Sequence, residues 1–219
     1  MATTTHVTCL FDPLCGWCYG ASALLEELAG QPDFVVNFMA TGLFAGDGAR
    51  PMDDSFAAFA WTNDQRISRL TGQPFSAAYR QNVLTDRTRL FDSGPATLAL
   101  TAVALVAPDH CGGALKSVQT ARYVDGRDIT DIAVLSDVLR AMNLGECADR
   151  LTHPDEELMT AFRSRVDTAR QEMQRFGANG VPALIVGVGD NRSLLPGNDL
   201  FVSPDVLIAR LKTMSQGSN

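Results

Sequence analysis

The chain has 219 residues, a formal net charge of −7, a sequence pI of about 4.9 and five cysteines. That length can bury a substantial core without covalent staples, and five thinly spread cysteines do not make the dense disulfide framework of a small secreted domain. Acidic charge with no Lys/Arg cluster excludes nucleic acid as a partner and disfavours an acidic membrane surface, although a small anion can still find a local site.

Met1 to Thr5 carries no basic segment leading into an apolar one, and no transmembrane run follows. The expected setting is the cytoplasm, where an exposed cysteine pair is more often catalytic or redox-sensing than structural. In chain order, His6-Val7-Thr8-Cys9-Leu10-Phe11 is a β-prone run ended by the turn signal Asp12-Pro13. Next, Ala21, Leu24, Leu25 and Leu28 recur at helical spacing, with Gly30 as a stop signal. Cys15-Gly16-Trp17-Cys18 therefore stands where a strand passes into a helix. Unpaired backbone N–H groups and the positive helix end favour an anion there, so Cys15 is expected to ionise more readily than a free thiol. Two intervening residues on a helical turn bring Cys18 within reach, allowing a small disulfide to close and reopen.

Other uses of the pair fit less well. A zinc site usually needs four ligands, but Cys9, Cys111 and Cys147 are isolated, and His6, His110 and His153 show no ligand spacing with them. No metal is expected. A purely structural disulfide in so tight a loop would constrain little chain.

The run Phe34-Val35-Val36-Asn37-Phe38-Met39 supplies a second strand and completes a βαβ unit, whose strands should be parallel. From Gly46 to about Pro154 no convincing strand is visible. Helical patterns run from Phe56 to Leu70, Ala96 to Val106, Ala114 to Val124 and Ile132 to Met142, the last with Thr130 as a cap candidate and Asn143-Leu144-Gly145 as its end. A long helix from Asp155 to Phe176 leads through Gly180-Val181-Pro182 into the β-prone run Ala183 to Val188. A polar turn at Gly189 to Arg192 then introduces a short strand at Ser193 to Leu195. Ser203-Pro204 opens the last helix, and Ser215 to Asn219 reads as a frayed tail. The resulting division is 1–45, a helical insertion at 46–154, and 155–219.

The order β-α-β, helical insert, α-β-β-α, with Cys-x-x-Cys at the first helix and Val-Pro before the third strand, resembles the thioredoxin fold. More narrowly it resembles the DsbA family of thiol-disulfide oxidoreductases, whose all-helical domain is inserted at this place. Asp12 to Cys18 and Ala121 to Ile129 are similar to the FrnE-like branch, and Gly180-Val181-Pro182 matches the family's cis-proline loop. The resemblance implies an α/β fold and disulfide exchange with protein or peptide thiols, in which Cys15 attacks and Cys18 resolves. Trp17, Val181 and Pro182 are then expected to bind substrate. It implies no cofactor, with glutathione as a candidate co-substrate, and a monomer or homodimer.

Two departures refine the expectation. Trp17 stands where strongly oxidising members carry a histidine, which implies a weaker oxidant. Cys9 occupies the position of a buried carboxylate that assists proton transfer in many thioredoxins, leaving Asp12 and Glu26 as the nearest acids. The same insert-bearing fold also serves kappa-class glutathione transferases and 2-hydroxychromene-2-carboxylate isomerases, which typically carry serine where Cys15 stands. A non-catalytic redox-sensing module is the third alternative.

Overall fold

The first predicted strand, β1 (Thr5–Phe11), is buried along most of its length because it lies inside the sheet with neighbours on both edges. The structure, a computed structural model, describes residues 4–195 and 199–216. The tail expected from Ser215 and the N-terminal stretch from Met1 lie partly outside these. After β1 come two short helices, α1 (Gly16–Gly20) and α2 (Ser22–Ala29), where the apolar spacing predicts one. The helix breaks at Ala21, between Gly20 and Ser22, both weak helix formers. Ala21, Leu24, Leu25 and Leu28 are all buried, as the periodicity requires. The strand β2 (Phe34–Ala40) follows and pairs in parallel with β1, with Cys9 opposite Phe38.

The segment expected as an insertion opens with the two-residue strand β3 (Arg50–Pro51), then α3 (Asp54–Thr71), α4 (Ala77–Asn82) and β4 (Leu90–Phe91). It continues with α5 (Gly94–Val106), α6 (Cys111–Tyr123), α7 (Ile132–Ala141) and α8 (Gly145–Thr152). Its body is helical, with one small addition: β3 and β4 pair antiparallel, Arg50 opposite Phe91. So short a ladder has no period to read in sequence; Phe91 is held in place by packing against Phe44 and Phe56. Two further details differ from expectation. The cap of α7 is Asp131, whose carboxylate accepts from the Ala133 N–H at 2.8 Å, while Thr130 donates to Asp128 instead. Gly145, expected as a stop, also begins α8, the turn between being made by Asn143 at φ 62°.

The long helix α9 (Glu156–Phe176) is capped by Asp155, which accepts from the Leu158 N–H, and ends at Gly177 in the left-handed conformation. It leads to β5 (Ala183–Val186), β6 (Ser193–Leu195) and α10 (Pro204–Gln216). The sheet order is β2-β1-β5-β6, with β5 antiparallel to β1 and β6 antiparallel to β5. Alternation along the strands divides the core. Val7, Cys9, Phe11, Leu184 and Val186 belong to the main buried cluster with the apolar faces of α2 and α10, whereas Leu10, Ala183 and Ile185 pack with Ala169 of α9. The main cluster runs on without a break into the insert through Val103, Val118, Leu135 and Leu151. No described helix is long and apolar enough to cross a membrane.

Candidate active site

The turn that ends β1 is braced by one buried carboxylate. Asp12 Oδ1 accepts from the Leu14 N–H at 2.9 Å, and Oδ2 accepts from the Phe44 N–H at 3.1 Å and the Ser93 hydroxyl at 2.7 Å. Its backbone oxygen also accepts from the Cys15 N–H at 3.1 Å. Asp12 thus ties together the end of β1, the loop after β2 and the start of α5. Burial pushes its carboxyl up, and the hydrogen bonds from Ser93, Leu14 and Phe44 counter part of that rise.

Cys15 is set at the N-cap of α1 in an extended conformation. Both cysteines are buried, Cys15 at 8% exposed and Cys18 at 2%. The Cys18 thiol is pushed well above its ordinary value, chiefly by burial and then by its hydrogen bond to Cys15 and that neighbour's charge. Burial thus keeps the Cys18 thiol protonated.

Opposite the pair, the Val181-Pro182 bond is cis, and the Cys15 thiol donates to the Val181 carbonyl at 3.5 Å. The structure brings Cys15, Cys18, Trp17, Val181 and Pro182 to one place. Trp17 meets Phe201 edge-to-face at 5.1 Å, and the Arg66 guanidinium lies 5.7 Å from the Trp17 ring centre. A cleft of about 250 Å³ opens between Trp17, Gly180, Val181, Pro182 and Phe201. A larger cavity, about 560 Å³, lies between α2, β2 and α6 and is lined by neither cysteine of the pair.

The insert closes the site from behind. Gly16 and Gly20 let α3 approach α1 closely: a Cβ at Gly16 would stand 2.5 Å from Asp64 Oδ1, and one at Gly20 2.6 Å from Ile67 Cγ2. The Tyr123 hydroxyl donates to the Leu14 carbonyl at 2.7 Å, and its ring stacks on Tyr19 with centroids 4.7 Å apart. Arg122 is buried beneath these rings, over Tyr79, Phe91 and Tyr123.

Of the acids considered for proton transfer, Glu26 lies on the outside, paired with Lys116 at 2.5 Å, and Asp12 is committed to the three hydrogen bonds just described. Cys9 is fully buried on β1, its thiol pushed up to about 12 by burial, which makes it a small hydrophobe rather than a reactive group. Cys111 and Cys147 lie in the insert and are likewise raised by burial. Among the described residues no group of three or more His, Cys, Asp or Glu is placed to hold a metal ion.

Sequence reasoning missed Asp64, Tyr79 and Phe201. For Asp64 a signal existed: it falls at helical spacing with the buried Ala57 and Ile67, a charged residue on the apolar face of α3. For Phe201 none did, since its contact with Trp17 joins two ends of the chain.

The chain matches the family model described as a DSBA-like thioredoxin domain over residues 6–203. A search of curated proteins returned no match. Among solved structures, it is similar to the cytosolic disulfide reductase DsbM from Pseudomonas aeruginosa, with 31% identity, 95% of this chain and 97% of that one covered, and a TM-score of 0.83. The same protein with GSH matches at 31% identity, 95% and 98% coverage and a TM-score of 0.81. A structure titled a putative protein disulfide isomerase, from Nitrosomonas europaea, shares the fold at 22% identity, 95% of each chain and a TM-score of 0.77. The fold, the cysteine pair at the head of α1 and these matches together make the chain a member of the DSBA-like thioredoxin domain family.

Proposed function

We propose that the protein is a cytoplasmic dithiol-disulfide oxidoreductase that exchanges disulfides with protein or peptide thiols through Cys15 and Cys18. In the reducing direction, Cys15 as thiolate attacks a substrate disulfide. The Cys15-substrate bond forms as the substrate S–S bond breaks, and the departing substrate sulfur takes up a proton. Cys18 then loses its proton and attacks the Cys15 sulfur, closing the Cys15-Cys18 disulfide and releasing the second substrate thiol. Two electrons have passed from the pair to the substrate. Two equivalents of a thiol such as glutathione reset the pair by the reverse exchange, the first forming a mixed disulfide and the second releasing it as the glutathione disulfide, a role supported by the neighbour solved with GSH.

Trp17, Val181 and Pro182 receive the substrate in this reading. The cleft beside them is apolar on the Trp17 and Phe201 side, while the backbone of exposed Gly180 and half-buried Val181 offers hydrogen bonds to an extended chain. The single observation that carries the proposal is the placement of Cys15 at the head of α1 with its sulfur beside the Val181 carbonyl, and of the more deeply buried Cys18 one turn behind. Insulin reduction by dithiothreitol tests it: the wild-type protein accelerates the reaction and Cys15→Ser does not. Conjugating activity with glutathione in a parallel assay, and no insulin turnover, would favour a transferase instead.

A further inference from the structure

The cavity of about 560 Å³ between α2, β2 and α6 has no part in the exchange just described. Its walls are mixed in character. Leu25 from α2, Phe38 from β2 and Leu115 from α6 give it an apolar lining. Beside them stands Ser22, the first residue of α2, which is 6% exposed and whose hydroxyl meets no hydrogen-bond partner among the described residues. Buried hydroxyls normally find a partner, so this one is available to a guest.

Four charged side chains border the same space: Glu26, Asp109, Lys116 and Arg165. Two of them cancel, because Lys116 Nζ meets Glu26 at 2.5 Å. Arg165 of α9 is half-buried, donates to the Phe38 carbonyl at 3.4 Å and forms no salt bridge among the described residues. Asp109 is exposed, so water screens its charge more fully than that of the half-buried guanidinium. Arg165 is also near enough to Cys111, the first residue of α6, to oppose the rise that burial gives that thiol. The guanidinium and the head of α6 therefore share one end of the cavity. No side chain caps that helix, and Cys111, Gly112 and Gly113 of its first turn border the opening, where the positive end of the helix dipole favours an anion.

We propose that this cavity is a binding site for a small organic monocarboxylate with an apolar body and one further polar group. Arg165 and the head of α6 hold the carboxylate, Leu25, Phe38 and Leu115 take the apolar part, and the Ser22 hydroxyl bonds the second polar group. One unpaired guanidinium with Asp109 nearby suits a single negative charge better than two, which disfavours a phosphate. The volume lies in the range of small-molecule sites, roughly 300–1,000 Å³. Neither Cys15 nor Cys18 lines the cavity, so the inference stands apart from disulfide exchange.

Indole-3-acetate is the probe, and indole-3-acetamide, nearly the same shape without the charge, is its control. Affinity is read by titration calorimetry. Occupancy of this cavity is read from the rate at which excess N-ethylmaleimide modifies Cys111, followed by peptide mass spectrometry, since Cys111 borders the cavity and is only partly buried. The wild-type protein is expected to bind the acid about tenfold more tightly than the amide, and the acid should slow modification of Cys111. Arg165→Gln should bind the two alike. Equal wild-type affinities, a preference for the acid that survives Arg165→Gln, acid binding that leaves the Cys111 rate unchanged, or no binding of either compound by roughly 10 mM would each overturn the proposal. If thermal unfolding shows that Arg165→Gln does not fold, Ala29→Trp takes its place, at an exposed position that borders the cavity. Its bulk should obstruct the opening and weaken the acid, and an unchanged affinity overturns the proposal as well.

Discussion

Cys15 and Val181 are 166 positions apart in sequence, yet the Cys15 thiol donates to the Val181 carbonyl at 3.5 Å. That contact joins the first turn after β1 to the loop before β5, and the pairing of β1 with β5 makes it possible: Leu10 lies opposite Ala183, so both loops leave the same end of the sheet.

The two cysteines should separate by reactivity. With limiting iodoacetamide at neutral pH, Cys15 is expected to be alkylated first, because Cys18 is more deeply buried and its thiol is held protonated. Cys18→Ala should retain attack but lose resolution, so that mixed disulfides through Cys15 accumulate on non-reducing gels. Preferential labelling of Cys18 by mass spectrometry would reverse the assigned roles.

Cys9 belongs to the core, not to the exchange. Cys9→Ala should keep turnover close to wild type and cost about 1 kcal/mol in urea unfolding, a typical loss for a small core truncation. A fall in insulin reduction as large as that of Cys18→Ala would show that the third thiol takes part.

Trp17 meets Phe201 edge-to-face, has the Arg66 guanidinium beside its ring, and lines the cleft while half-buried against the core. Trp17→Ala should raise KM for a peptide disulfide by about tenfold, in line with the ~1–2 kcal/mol lost when an aromatic anchor is truncated, with a smaller effect on a low-molecular-weight disulfide. Equal loss with both substrates would mean that Trp17 shapes the helix start instead of the docking surface.

Asp12 holds the turn that presents the cysteines. Asp12→Ala would leave the Ser93 hydroxyl and two backbone N–H groups without their acceptor, so a loss of about 3 kcal/mol or more is expected from chemical denaturation. A loss below about 1 kcal/mol would show that these bonds add little beyond what solvent supplies.

Asp64 should also leave a mark on stability. Its carboxyl is raised in the fold to about 7 from an ordinary 3.8, so the folded state binds a proton more tightly than the unfolded one. Its contribution is therefore most favourable below the unfolded value and declines as pH rises through about 7. The wild-type protein should lose a few kcal/mol relative to Asp64→Asn between about pH 4 and pH 8, since every tenfold difference in proton affinity between the folded and unfolded states is worth about 1.4 kcal/mol. Thermal melts of both proteins across that range check the slope; parallel curves would contradict it.

Local pattern alone placed the strand-to-helix junction at Cys15, the buried face Ala21, Leu24, Leu25 and Leu28, the long helix ending at Gly177, and the hairpin of β5 and β6. These features depend on neighbours within a few residues: a 3.6-residue or two-residue period, an Asp cap, a glycine able to adopt positive φ. The remaining site features were settled by approach in three dimensions. Asp131 rather than Thr130 caps α7 because the helix begins at Ile132, which leaves Thr130 one residue ahead of the capping position. The β3-β4 pair exists because Phe91 finds Phe44 and Phe56. Asp64 packs on Gly16 because that residue lacks a side chain and Tyr79 arrives from another helix, and Phe201 meets Trp17 only once α1 and the segment after β6 are folded beside each other. No period along the chain encodes such contacts, since each is fixed by the packing of elements far apart in sequence.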